Sequence, residues 1–308
     1  MRALALVLFL AACVAGEAPA DPPAPPTSME SADRNEETAA AHALDVVPAE
    51  LALRCAGAFT QGGVALCRTL PGAAIDVDGI ASGEADAQGW AVVGFSREHG
   101  RQAQVSARAS GGEVALSLAI APREFDIQRV NGLPPQTVNP TDPQVLARIE
   151  RDSALKREAF ASVAALEGWL DGFALPLNGT VTGRWGNQRI LNGEPRDPHF
   201  GYDIAAPEGT PVRAPASGVV TLASPDMHFE GGLVFIDHGQ GLTTMYLHMS
   251  RLDVAVGERV EQGQIIGAVG ARGRATGPHL CWRMRWRGRQ LDPSVALEAL
   301  AAAREELR

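Results

Sequence analysis

The sequence predicts a mainly β protein in which two β domains are joined by a helical connector. Glycine and proline are abundant, with 33 Gly and 21 Pro in 308 residues, whereas aromatic residues make up only 5% of the chain. Such a composition favours short strands and turns over long helices. Apolar and polar residues alternate over short runs, as in residues 74–78 and 279–286, which is the period of a half-buried strand. A chain of this length can hold two domains with separate cores.

The charge distribution argues against a nucleic-acid partner. The formal net charge is −9, and the acidic excess is concentrated in residues 1–173. Nucleic-acid-binding proteins carry a basic patch or stripe, and the chain has none that dominates a domain. We therefore expect no nucleic acid among its partners.

The first 13 residues have the layout of an export signal. Arg2 precedes an apolar run over residues 3–12, which is too short for a permanent membrane span. Residues 10–13, Leu-Ala-Ala-Cys, also resemble the lipobox of bacterial lipoproteins, whose cysteine is lipidated; an ordinary cleaved signal peptide is the alternative. Val14 would direct such a lipoprotein to the outer membrane. We expect a periplasmic protein of the cell envelope that contacts the membrane only through a lipid on Cys13.

Composition and periodicity divide the rest of the chain into segments. A helix is predicted to begin at Pro143, because Asp142 or Thr141 can cap it and proline suits the first helical position. The predicted segments are a flexible Pro/Ala/acidic tether (14–44), a small β-sandwich (45–125), a linker with a helix (126–173), a second β domain (174–298) and a helical tail (299–308).

Four cysteines are informative in an exported chain, because thiols oxidise outside the cytoplasm. If Cys13 carries lipid, Cys55 and Cys67 can pair across a hairpin. Cys281 is then left without a cysteine partner and needs another explanation.

Strand periodicity places several metal-binding residue types on polar faces. In residues 279–286 the apolar residues share one face, so His279 and Cys281 point together from the other. In residues 243–249 the same rule places His248 on a polar face with Thr244 and Tyr246. His199 and Asp203, four residues apart, would share one face of an extended strand.

These segments resemble the catalytic domain of the lysostaphin or LytM family of zinc endopeptidases, which act on peptidoglycan. The resemblance covers residues 176–292 and is carried by short motifs at residues 199–212, 216–220, 236–239, 246–248, 256–264 and 276–279. It implies one Zn²⁺ per chain with His199 and Asp203 as metal ligands. It also implies that His248 and His279 are catalytic and that the substrate is a peptidoglycan stem peptide.

Cys281 departs from the family pattern, which has histidine there as the third zinc ligand. Thiolate is also a good zinc ligand, so we expect Cys281 to be the third metal ligand. The alternative is a small buried apolar residue. A thiolate together with Asp203 neutralises the ion, and we hypothesise that the attacking water is then less acidic and hydrolysis slower.

The remaining histidines and the basic run are given structural or solvated roles. His238 is interpreted as structural, and His42, His99 and His228 as solvated. Arg283, Arg285, Arg287 and Arg289 are expected to form a solvated strand edge, with contact to stem-peptide carboxylates as the alternative. Residues 267–277 lack the Lys-Ser/Thr ending and the helix of a phosphate-binding loop.

Two rival functions remain open at the level of sequence. One is a catalytically impaired LytM-like domain that binds and regulates a cell-wall amidase or a division-complex partner. The other is a purely structural envelope lipoprotein, which leaves the polar strand faces unexplained. Zinc content and muropeptide release distinguish the enzyme from both.

Overall fold

The structure, a computed structural model, describes residues 51–132 and 138–308. Over these residues the chain forms 21 strands and two helices, so the predicted mainly β class is confirmed. The predicted export signal, Cys13, His42 and the tether lie outside the described residues. None of the described helices combines the length and the apolar character that crossing a bilayer requires.

The N-terminal part consists of two antiparallel sheets in the segment for which we predicted a β-sandwich. One sheet has the order β1-β2-β5 and the other β4-β3-β6-β7. Buried side chains of both sheets, among them Leu66 and Val105, belong to one hydrophobic cluster. The strands are β1 (Arg54–Gly57), β2 (Val64–Arg68), β3 (Ala74–Val77), β4 (Ile80–Glu84), β5 (Trp90–Gly94), β6 (Gln102–Ala109) and β7 (Gly112–Ala119).

A disulfide closes the first hairpin. Cys55 on β1 and Cys67 on β2 are opposed in the antiparallel register, and their sulfurs are bonded. Among the described residues Cys281 is the free cysteine, and it is buried. The pairing left open by the sequence is therefore present in the structure.

The segment predicted as a linker contributes a strand to the second part of the chain. Strand β8 (Ile127–Val130) pairs in parallel with β10 (Gln188–Leu191), which also pairs with β11 (Glu194–Pro195). Residues 126–173, expected to form a linker with a helix, thus also contain a strand that pairs with the second part. The strand has no buried residue, so its hydrophobicity gave no signal of this pairing.

Helix α1 (Pro143–Phe160) begins where the sequence predicts. Asp142 caps it by accepting hydrogen bonds from the backbone nitrogens of Gln144 at 2.7 Å and Val145 at 3.2 Å. Its last turn places Ala159 and Phe160 against an apolar cluster on one side of the large sheet, which includes Phe235. Lys156 forms an ion pair with Glu230 beside this contact.

The large sheet of the C-terminal part has eight strands in the order β18-β14-β15-β16-β20-β12-β9, with β21 paired to β20. A smaller sheet has the order β13-β19-β17. The strands of this part, in addition to β10 and β11, are β9 (Thr180–Gly183), β12 (Tyr202–Ala205), β13 (Pro211–Arg213), β14 (Gly218–Met227), β15 (Gly231–Asp237), β16 (Leu242–Met249), β17 (Arg251–Leu252), β18 (Arg259–Val260), β19 (Ile265–Ala268), β20 (His279–Trp286) and β21 (Arg289–Leu291).

Helix α2 (Pro293–Leu307) follows the last strand and packs against β1 and β2. Its buried residues Ala296, Leu300 and Leu307 recur at helical spacing, so one face joins the main core. The helix starts before the predicted tail at residue 299, because Asp292 caps it and also pairs with Arg123 at 2.9 Å. Each buried leucine contributes roughly 1.5–3 kcal/mol of stability through its removal from water.

His238 is a buried structural residue, as the sequence interpretation has it. Its Nδ1 donates to the Ser217 carbonyl at 2.8 Å, and its Nε2 lies 2.7 Å from the Thr244 hydroxyl. Because a carbonyl only accepts, the proton is on Nδ1, and Nε2 accepts from Thr244. Burial lowers the pKa of His238 to about 4.

We predict that this histidine makes stability fall with acidification. Between the unfolded pKa near 6.5 and the folded pKa of about 4, the unfolded chain binds the proton and the folded chain does not. The free energy of unfolding should therefore decrease as pH drops through this window, by on the order of 1–3 kcal/mol for His238. Urea denaturation at several pH values, with a chelator present, measures it.

The matched variants are His238→Gln and His228→Gln. The first removes the buried titrating group, so its pH slope should be smaller than that of wild type. The second replaces a half-buried histidine in the turn after β14 and should keep the wild-type slope. An identical slope in His238→Gln and wild type would show that His238 does not cause the effect.

Candidate metal centre

The pairing of β12 with β20 places two of the predicted ligands side by side. In this antiparallel register Asp203 lies opposite Cys281, and Ala205 lies opposite His279. Directly opposed residues point to the same side of a sheet, so the Asp203 carboxylate and the Cys281 sulfur share one face. Apolar residues on the other face of β20, Trp282 and Trp286, are fully buried and hold the strand in this orientation.

His199 reaches the same place from a loop and not from a strand. Strand β12 begins at Tyr202, so the prediction that strand alternation aligns His199 with Asp203 is wrong. The His199 backbone nitrogen donates to the Asn187 carbonyl at 2.8 Å, and its carbonyl accepts from Gly186 at 2.7 Å. These two bonds fix the loop, and the side chain is 1% exposed.

The three predicted ligands converge. One ligand atom each from His199, Asp203 and Cys281 lies within 4.8 Å of the other two. His199 Nε2 is 3.2 Å from Asp203 Oδ1 and 3.5 Å from Cys281 Sγ. A Cβ at Gly201 would lie 2.3 Å from Cys281 Sγ and 2.8 Å from His199 Nε2, so only glycine leaves room for the sulfur and the imidazole.

Burial and mutual contact shift the ionisation of these groups. Burial alone would raise the pKa of Asp203, but the adjacent His199 imidazole reverses this and holds it well below its usual range. Burial lowers the pKa of His199, with Asp203 opposing it. Burial raises the pKa of the Cys281 thiol to about 12, although Arg283 acts in the opposite direction. Asp203 is therefore ionised, and without an ion Cys281 is a thiol.

The arrangement fits a metal ion better than a closed hydrogen-bond network. Asp203 Oδ1 is buried and accepts no hydrogen bond, although His199 Nε2 is close to it. Buried polar atoms are normally satisfied, so this oxygen requires a partner. Imidazole, carboxylate and thiolate together are a donor set that suits Zn²⁺, and three protein ligands leave a position open.

His248 lies beside this cluster because the backbone departs from the strand pattern there. Strand β16 pairs with β20 as far as Leu247 opposite Cys281, and the next residue, His248, has φ 68°. This left-handed conformation is uncommon for residues other than glycine. The His248 ring centroid is 4.8 Å from that of His279.

The predicted polar face of β16 is not an open surface. Thr244 and Tyr246 are fully buried, and Tyr246 belongs to the main core. The Thr244 hydroxyl lies 2.6 Å from the Tyr246 hydroxyl and also bonds His238. The alternation rule is therefore wrong for this strand: Leu247 lies opposite Cys281, Tyr246 lies opposite the buried Trp282, and His248 reaches the cluster only where the backbone leaves the strand pattern.

Both neighbouring imidazoles have a defined tautomer. His248 Nδ1 donates to the Arg272 carbonyl, and His279 Nδ1 donates to the Gly277 carbonyl, each at 2.8 Å. Because carbonyls only accept, Nε2 of each neutral ring carries the lone pair. Burial and the His279 ring lower the pKa of His248 to about 4, so His248 is neutral at pH 7. These nitrogens can accept or donate a proton beside the cluster.

A cavity of about 300 Å³ opens over the cluster, and its lining includes residues that sequence reasoning missed. Gln128 lines it from β8 and Arg189 from β10, and Arg274 lies in the segment before β20. The segments that form β8 and β10 contain no recognisable motif. The glycine-rich segment around Arg274 suggests only a phosphate loop, which its sequence excludes. Their positions depend on long-range pairing that the sequence pattern does not encode.

The arginine run from residue 283 is not a solvated strand edge. Strand β20 lies between β16 and β12, so it is an inner strand. Arg283 is half-buried in the cavity lining, and the Arg285 guanidinium lies 4.0 Å from the Phe160 ring centroid. The expectation of an edge is therefore wrong, because it followed from charge alone.

The other described histidines are outside the cavity lining. His99 is not solvated as expected: its side chain is 8% exposed, and Nε2 lies 2.8 Å from Asp78 Oδ2. His228 lies in the turn after β14, where its ring packs on Phe229. Neither contributes to the candidate centre.

The fold and the site together define a metallopeptidase-like β protein, with a ligand cluster beside two imidazoles. The family model described as "Peptidase family M23" matches residues 197–293, which include all five of these side chains. The crystal structure of a putative peptidase M23 from Pseudomonas aeruginosa is 30% identical, with a TM-score of 0.60, and covers 78% of this chain and 95% of that one. The chain belongs to peptidase family M23.

Curated relatives match about a third of the chain. The DD-carboxypeptidase/endopeptidase Mpg of Neisseria meningitidis is 47% identical over 100 residues, which are 32% of this chain and 23% of that protein. The peptidoglycan DD-endopeptidase ShyC of Vibrio cholerae is 45% identical over 95 residues, or 31% of this chain and 22% of that protein. The chain thus spans less than a quarter of the length of these relatives.

Proposed function

We propose that this protein is a zinc-dependent endopeptidase that hydrolyses peptide cross-links of bacterial peptidoglycan. The observation that carries the proposal is the convergence of His199, Asp203 and Cys281 beside two imidazoles that each donate from Nδ1 to a backbone carbonyl. One relative, ShyC, is named a peptidoglycan DD-endopeptidase, which supports the substrate class.

The three clustered side chains would hold one Zn²⁺ per chain. The unsatisfied Asp203 oxygen and the space kept free by Gly201 support this assignment. When bound, zinc would polarise the peptide carbonyl and acidify a water molecule in the open position. Binding also requires Cys281 to lose its proton, which the ion favours strongly over burial.

His248 and His279 would handle protons beside the reacting peptide bond. Each ring is oriented by a backbone carbonyl that fixes its Nδ1–H, so each Nε2 has a set direction. The low pKa of His248 keeps it unprotonated at neutral pH, as a proton acceptor requires. We assign these two residues the catalytic proton transfers.

We predict that the purified full chain contains zinc and releases muropeptides from sacculi. His199→Ala removes a ligand and should abolish both properties. His248→Ala and His279→Ala should retain zinc and lose activity by about 100-fold or more, because general acid–base groups contribute on that order. Elemental analysis and chromatography of released products, with mass spectrometry to identify the bond cleaved, are the measurements.

His228→Ala is the control, since it changes a histidine outside the cavity lining. It should match wild type in zinc content and rate. A protein that purifies without zinc, releases nothing and instead accelerates a cell-wall amidase would replace our proposal with the regulatory alternative.

A further prediction concerns Cys281, the proposed sulfur ligand. Cys281→His exchanges a thiolate for a neutral donor and leaves the ion with a net positive charge. Hydrolysis should become faster, and the acidic limb of the pH–rate profile should move down by about one pH unit. Cys281→Ser keeps the size of the side chain but removes the soft donor, so zinc affinity in a chelator competition should fall. Equal rates and equal profiles in wild type and Cys281→His would reject the charge argument.

We also propose that the protein acts in the cell envelope, anchored to the outer membrane by lipid on Cys13. The disulfide between Cys55 and Cys67 supports an oxidising compartment. Cys13→Ser should move the protein from the outer-membrane fraction to the soluble periplasmic fraction. Unchanged fractionation would exclude the lipid anchor.

A further inference from the structure

Three arginine side chains line the cavity beside the ligand cluster. Arg189 lies on β10, Arg274 in the segment before β20, and Arg283 on β20 itself. Arg189 is far from Arg274 and Arg283 in sequence, so the fold brings it beside them. Convergence of guanidinium groups in a cavity is the arrangement that binds a carboxylate or phosphate.

Two of the three guanidinium groups contact other residues of the protein, but these contacts use only some of their N–H donors. Arg189 donates from Nε to the Gln128 amide oxygen at 3.3 Å, while its Nη2 is 3.8 Å from Asp203 Oδ2. Arg283 donates from Nε to Cys281 Sγ at 3.4 Å. Neither guanidinium makes a bidentate pair with a carboxylate in the described part of the chain.

Arg274 is held in place without an ion pair. Its guanidinium carbon lies 4.8 Å from the Phe229 ring centroid, so the group is oriented by stacking. No carboxylate among the described residues lies within salt-bridge distance of it. Arg274 as a whole residue is exposed, although partial burial of its guanidinium lowers its pKa; repulsion from Arg189 and Arg283 adds to this, and Glu230 opposes it.

The charges of the cavity do not balance. Asp203 is the acidic side chain in its lining. With a divalent ion in place, the Asp203 carboxylate and the Cys281 thiolate would neutralise the ion, and no further carboxylate of the lining would face the three guanidiniums. Glu230, outside the lining, acts electrostatically on Arg274 and Arg283. Partly desolvated cations are costly unless they meet an anion. A ligand with a carboxylate would supply the negative charge that the lining lacks.

We propose that Arg189 and Arg274 form a subsite for a free carboxylate of the substrate peptide, next to the bond that is cleaved. The inference rests on the proposed function and makes it more specific: the substrate is a cross-link that carries an unmodified carboxylate near the scissile bond. Arg283 adds positive charge behind the subsite. The planar guanidinium of Arg274 presents paired N–H donors that match the two oxygens of a carboxylate.

The experiment compares two synthetic cross-linked stem peptides that differ only in whether the carboxyl groups beside the scissile bond are free or amidated. Binding to the full chain is measured by calorimetry after zinc removal, and kcat/KM is measured on the zinc-loaded protein. Wild type should prefer the free carboxylate by about tenfold or more in both readouts, since a charge-assisted bidentate pair supplies that much. The preference should shrink as salt is raised.

The variants are Arg274→Gln, Arg189→Gln and Arg259→Gln. Each of the first two should weaken binding of the free-carboxylate peptide about tenfold more than binding of the amidated peptide, so the preference collapses. Arg274→Lys keeps the charge without the planar fork and should retain part of it. Arg259 on β18 is exposed and outside the cavity lining, so Arg259→Gln should behave as wild type.

The two readouts distinguish failure of the subsite from failure of the proposed function. If both peptides are cleaved with equal kcat/KM and bind equally, the subsite is wrong and the peptidase proposal stands. If neither is cleaved but the free carboxylate binds preferentially, and Arg274→Gln abolishes this, the subsite stands and the activity is wrong. A preference that survives in both Arg274→Gln and Arg189→Gln overturns the subsite.

Discussion

The antiparallel register between β12 and β20 is the constraint on which the candidate centre depends. It sets Asp203 opposite Cys281, and a shift of one residue would turn one of them to the far side of the sheet. The register is held by the apolar face of β20, where Trp282 and Trp286 are buried in the main core. Packing of the two tryptophans on one side of the sheet thereby fixes which side chains lie at the candidate centre on the other side, because a close-packed interior does not accommodate a shifted register.

Around this fixed pair, the remaining groups are placed by backbone hydrogen bonds. His199 depends on its two bonds to residues 186 and 187, and the rings of His248 and His279 depend on the carbonyls of Arg272 and Gly277. Such bonds orient an imidazole and choose its tautomer at once. The site therefore combines a rigid sheet with short loops that each contribute one imidazole or one carbonyl.

Features that depend on residues close together in the chain could be predicted from the sequence. Features that depend on contacts between distant segments could not. Alternation in β20 placed Cys281 on the face opposite Trp282 and Trp286, because the other face of that strand is fully apolar. The same rule misjudged Thr244 and Tyr246, since both sides of β16 are buried and a polar side chain there can be satisfied inside the core. No local pattern could place Arg189 or the β8 strand beside the cavity, because their pairing joins residues far apart in the chain.

Helix α2 has a bearing on how the protein can be divided. The family match ends at residue 293, where helix α2 begins. The apolar face of this helix nevertheless packs against β1 and β2, near the N-terminal end of the described chain. Leu300 and Leu307 bind the two parts into a single hydrophobic core. A fragment cut at the family boundary would expose that face of the N-terminal sheet to water. A segment exchanged between relatives would therefore have to include more of the chain than the residues that match the family.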